Sequence, residues 1–143
     1  MPLIILGEQL SYAASSGNIM SLKMFLECHD IDVNFPYLNG TTPLHFAVFS
    51  NACWAVKLIL EDPRTLPNEQ EGSGLFPLSI AVLTQNLELL DIFMKVERTD
   101  IDFDCQSPDW GTPLQIATHL QREHSSLWLL QVPGIDFNNA SYY

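Results

Sequence analysis

A short motif that returns at near-even intervals constrains this chain more than anything else in it. Thr42-Pro43-Leu44-His45-Phe46-Ala47 is followed by Phe76-Pro77-Leu78-Ser79-Ile80-Ala81 and then by Thr112-Pro113-Leu114-Gln115-Ile116-Ala117. The prolines stand 34 and then 36 residues apart. A period in the thirties marks a chain built from one supersecondary unit that cannot bury its apolar face alone and must stack on its neighbours. A fourth copy precedes the others: Leu10-Ser11-Tyr12-Ala13-Ala14 lacks the Thr-Pro but keeps the apolar frame.

Within a unit the sequence reads as two short helices. Thr42 can cap the first with its hydroxyl, and Pro43 at the first helical position gives up no needed hydrogen bond. Seven residues after each anchoring leucine stand Gly17, Asn51, Gln85 and Gln121. Gly and Asn suit a helix end at positive φ, whereas Gln suits it poorly. A more apolar second helix is expected from about Ala52 to Glu61, with Val56, Ile59 and Leu60 buried and Pro63 ending it. The units close on Asn34, Asn68, Asp104 and Asn138, and the Asn- and Gly-rich stretches that follow are turn chemistry leading into the next unit. Asp104 lies two residues further from its anchor than the other three, which accounts for the 36-residue step. Helices of two or three turns are marginal in isolation, so stacking must stabilise them.

Gly40-Thr41-Thr42-Pro43-Leu44-His45-Phe46-Ala47 closely resembles the G-x-T-P-L-H-x-A signature of ankyrin repeats. The resemblance covers about residues 7–139 and is strongest in the second and fourth units. The third departs at Phe76, where the capping Thr should stand, a loss of about 1 kcal/mol. It implies an all-α solenoid of four stacked helix–turn–helix repeats with finger loops, a single domain over 1–143 divided at about 1–36, 37–70, 71–106 and 107–143. It also implies that His45 is a structural histidine whose ring bonds neighbouring backbone. Leu26/Asn34, Leu60/Asn68 and Leu130/Asn138 keep a leucine-to-asparagine spacing of eight. That spacing resembles substrates of the cytosolic asparaginyl hydroxylase that also acts on a hypoxia factor. The alternative is an asparagine bonded within its own turn beside a core leucine.

Composition narrows the function. Six basic residues against seventeen acidic ones give a formal charge of −11. Such a chain repels phosphate backbones and anionic membranes, so neither nucleic acid nor membrane is an expected partner. Cys28, Cys53 and Cys105 form no disulfide framework; Cys28 and Cys53 lie in apolar, helix-like stretches and are expected as buried thiols. Cytoplasm or nucleus follows as the expected location, with monomer as the default state.

No enzyme is read from the sequence, and no cofactor or metal is expected. Cys28-His29 is adjacent, and His119 and His124 are two ligands where structural zinc takes four. Gly72-Ser73-Gly74 lacks the lysine of a phosphate loop, and Asp100, Asp102, Asp104 and Asp109 lack the order of a calcium loop; a finger turn and a solvated acidic loop are the readings preferred.

The resemblance places recognition on the fingers and the exposed end of the inner helix. Carried onto this chain, it selects Leu38, Asn39, Thr41, Phe49 and Ser50 in the second unit, and Leu75 and Leu83 in the third. In the fourth it selects Asp109, Trp110, His119 and Leu120, with Trp110 in place of the motif's first glycine. The apolar members are expected to face solvent as a row with an acidic rim, suited to a protein partner carrying a basic segment. The leading expectation is a non-catalytic adaptor, scaffold or inhibitor; the alternative is an acidic, charge-led mimic or chaperone-like subunit. Small four-repeat chains resemble the kinase-inhibitor branch of the family in size, but no residue here identifies a kinase as the target.

Overall fold

The computed structural model describes residues 3–136, with side chains from residue 6 onward. Asn138, the Tyr142-Tyr143 tail and the side chains of Leu3-Ile4-Ile5 lie outside the described residues. Eight α-helices follow one another within them: α1 (Leu3–Ser16), α2 (Ile19–Glu27), α3 (Pro43–Phe49), α4 (Cys53–Glu61), α5 (Pro77–Thr84), α6 (Leu87–Lys95), α7 (Pro113–His119) and α8 (Glu123–Leu130). Odd-numbered helices pack on odd, even on even, and each odd helix on the even helix after it. The result is the stack of four helix pairs in two layers that the period implies, and the only β-contacts among the described residues are two isolated bridges in the fingers.

Local chemistry starts each inner helix where the sequence puts it. Thr42 caps α3 and Thr112 caps α7, each accepting from the backbone N–H three residues on, with Pro at the first position. The third residue completes the box by accepting from the cap's own N–H: His45 through Nδ1 at 3.2 Å, Gln115 through Oε1 at 2.8 Å. Phe76, as expected, provides no side-chain cap to α5. Ala13, Ala47, Ala81 and Ala117 are buried at one register, where a small side chain lets the neighbouring inner helices approach. Asn51, Gln85 and Gln121 all take left-handed φ between 55° and 60°, beside Gly17 at 80°. Stacking therefore overrides the poor fit of glutamine to this conformation.

Two features lock the outer layer. Arg64 follows α4 and donates to the carbonyls of Leu26 and Cys28 at the end of α2, while Asp62 fixes its guanidinium. Arg98 follows α6 and does the same one unit later, donating to Leu60, Asp62 and Thr65, with Asp100 fixing it. Each clasp satisfies carbonyls that a helix end leaves open. The second feature is a ladder of unit-closing residues. Asn34 donates to the Arg64 carbonyl and accepts from the Leu66 N–H; Asn68 donates to the Asp100 carbonyl and accepts from the Asp102 N–H. These asparagines thus bridge to the next unit, which corrects the expectation that they bond within their own turn. Asp104 accepts from Asp136 N–H in the corresponding place. Its agreement with that ladder locates the two extra residues of the long step between Arg98 and Asp102.

Candidate protein-docking surface

Three fingers project between the pairs, each closed across four residues by the same backbone bond: Tyr37 N–H to Thr41, Glu71 N–H to Leu75, and Ser107 N–H to Gly111, all at 3.0 Å. Adjacent fingers touch through Gly72 N–H, which donates to the Asn39 carbonyl at 2.6 Å. A Cβ at Gly72 would meet the Asn39 carboxamide, which would have to swing aside to admit it. Trp110 is tolerated at the place of Gly40 and Gly74 because the left-handed residue of the fourth finger moves one position on, to Gly111 at φ 81°.

A buried polar cradle holds the third finger. Glu71 accepts from the backbone N–H groups of Ser73 and Leu75 at 3.0 Å and from the Ser73 hydroxyl. Burial pushes the Glu71 carboxyl up, but those hydrogen bonds together with His45 outweigh it and leave it below its ordinary range. His45 is fully buried; its Nε2 lies 3.2 Å from the Leu75 carbonyl and its Nδ1 faces the Thr42 N–H. That pairing fixes the neutral tautomer with hydrogen on Nε2, and burial lowers the ring's pKa. The structural role implied for His45 is the one it plays. At the same register Ser11, Ser79 and Gln115 stand in the other units. Ser79 Oγ lies 4.0 Å from Cys105 Sγ, and Ser11 Oγ is buried with no hydrogen-bond partner.

The expected apolar row divides into three. Leu38 at 70% exposure, Phe49 at 51% and Trp110 at 44% stand in solvent. Leu83 and Leu120 are half-buried and pack on the core. Leu75 is a correction: it is buried, because the Glu71 and His45 bonds draw the finger base inward. Thr41 is buried as well, its backbone closing the second finger. Asn39, Ser50, Asp109 and His119 are exposed. Leu38 and Phe49 belong to one unit and Trp110 to the fourth, so the row has lost its middle.

The thiols also depart from expectation. Cys28 and Cys53 are half-buried, since each lies at an end of an outer helix; Cys105 is the buried one, and burial pushes its pKa up to about 12. No cluster of three or more His, Cys, Asp or Glu among the described residues could hold a metal ion. Asp102 and Asp104 instead accept backbone N–H groups. A groove of about 960 Å³ runs along the outer layer between α4 and α6, away from the fingers. Its cations are engaged within it, Lys57 with Glu61, Lys95 with Asp91, and Arg98 with its carbonyls. No helix among the described residues is long and apolar enough to cross a membrane.

The two clasping arginines escaped the sequence reading. Their signal was present: Arg64 and Arg98 are 34 residues apart, the period itself, and each has an Asp two positions away.

Residues 8–68 match a family profile described as ankyrin repeats in three copies. A protein of fowlpox virus (strain NVSL), described as carrying ankyrin repeats, is 33% identical over 89 residues. That alignment takes in 59% of this chain and 26% of the viral protein, so the chain corresponds to about a quarter of its relative's length. The profile falls on the first units, and the same succession of inner helix, outer helix and finger continues through α8. Sequence match and repeated geometry agree: the first units are similar to ankyrin repeats, and the all-helical stack of pairs is that of an ankyrin-like solenoid.

Proposed function

We propose that this chain is a non-catalytic binding module that holds a protein partner against its fingers and inner-helix ends. Ankyrin repeats are in general protein–protein interaction modules, and the family is typically non-enzymatic. The observation that carries the reading is the exposure of Leu38, Phe49 and Trp110 on that side. Large apolar side chains held in solvent by a rigid scaffold mark interfaces. A role as adaptor, scaffold or inhibitor follows, with the chain monomeric and, given its three free thiols, in a reducing compartment such as cytoplasm or nucleus. A second, charge-led reading is favoured by one observation: all six Lys and Arg residues lie off the fingers, leaving that side acidic.

The test compares proteins retained from native lysate by the wild type, by Leu38→Ala with Phe49→Ala, and by Leu127→Ala on the outer layer. A partner lost with the finger-side pair and kept with Leu127→Ala supports the docking face. Equal retention by all three removes that face from consideration. A complex that dissolves by about 0.3 M salt in the wild type points to the charge-led reading instead.

A further inference from the structure

We propose that the notch between the third and fourth fingers is a receptor for an arginine side chain of the partner, with Trp110 as its stacking plate and Asp109 as its counter-charge. This rests on the finger-side docking reading and specifies the chemistry that such a partner would bring to it.

The notch has a volume of about 430 Å³ and is lined by Gly72, Ser73, Gly74, Pro108, Asp109 and Trp110. One wall is nearly bare backbone. Gly74 holds φ 85°, and a Cβ there would come within 3.3 Å of the Pro108 ring, so the narrow approach of the fingers and the openness of that wall both depend on glycine. The other wall carries an indole and a carboxylate on consecutive residues. This is the chemistry that a planar guanidinium answers best, because it can lie on an aromatic face and donate to a carboxylate together. Lys23, Lys57 and Lys95 are on outer helices, Arg64 and Arg98 are engaged as clasps, and Arg122 sits at the α7–α8 turn. No cation of the chain therefore lines the notch, and the salt bridges among the described residues do not include Asp109. Behind Ser73 the cradled Glu71 adds a second negative charge, already committed to Ser73 and Leu75 and so acting only through its field.

The probe is the blocked tripeptide acetyl-Gly-Arg-Gly-amide, titrated into the ¹⁵N-labelled chain while the indole N–H signals of Trp54, Trp110 and Trp128 are followed. Its citrulline counterpart serves as the neutral control of the same shape. The arginine peptide should shift the Trp110 signal saturably, with a Kd on the order of tens of millimolar, and leave Trp54 and Trp128 in place. Citrulline should shift it far less, and Asp109→Asn should weaken the arginine response by about threefold. An absent Trp110 shift, an equal response to both peptides, or indifference to Asp109→Asn would each overturn the assignment. The titration needs no partner. A notch that binds arginine while the Leu38/Phe49 variant keeps its partner would sink the docking face alone, and the reverse result would sink the notch alone.

Discussion

His45 shows how one side chain can serve two units at once. It completes the cap of its own helix and donates to the finger of the next, and the capping bond, in which Nδ1 accepts, requires the neutral ring. Because burial lowers its pKa, the folded state disfavours the protonated form. The stabilisation is therefore fully present above the ordinary histidine value near ~6.5 and is lost as pH falls from there toward the folded value, by at most about 1.4 kcal/mol per pH unit. Asp62 and Asp100 are held low by Arg64 and Arg98, so their contribution is present above about pH 4 and lost below it. The melting temperature of the wild type should accordingly drop between pH 7 and pH 5 and drop again below pH 4. In His45→Gln the first drop should shrink while the second persists, since Gln115 builds the same capping box in the fourth unit without a titrating ring. Identical pH profiles for the two proteins would show that the ring is not the source.

At the scale of elements, the energetic asymmetry lies between exposed pairs and buried clasps. Lys57 and Glu61 are 3.9 Å apart with both side chains in solvent, a pair worth about 0–1 kcal/mol. Arg98 is largely buried and answers three carbonyls at the end of α4 and in the turn beyond it. Arg98→Ala should cost about 2 kcal/mol in urea unfolding, and Lys57→Ala almost nothing. Arg98→Lys should fall between them, because an ammonium cannot reproduce the fork. Comparable losses for Arg98→Ala and Lys57→Ala would contradict the clasp. These elements also show what the sequence could disclose. Helix starts and the uncapped Phe76 were readable because they depend on neighbours in the chain, whereas the two extra residues of the third unit were visible as a longer step but were placed only by the ladder. The burial of Leu75 was not readable, since it depends on the His45 ring that stacking brings from the unit before, together with the Glu71 carboxylate of its own finger. The docking row suffered most, because exposure is decided between units rather than within one.

For the whole molecule, the stack makes stability a matter of neighbours. Met24 on α2 occupies the register of Leu58, Ile92 and Trp128, which pack against the core, yet it is 69% exposed because no described unit lies in front of it. Leu130 on α8 likewise holds the register of the buried Leu60 and is left open on the other side. Pairs with one neighbour open more readily than pairs with two. Amide hydrogen exchange should therefore be slowest in α3 to α6 and faster in α2 and α8. Uniform protection across all eight helices would mean that the chain unfolds as one block. The joints between pairs are chemically unequal too: serine, histidine, serine and glutamine take the same seat in successive units. Only one of the four can gain a proton, so mild acid meets this otherwise repetitive rod at a single perforation, between its second and third segments, and that is where it should tear first.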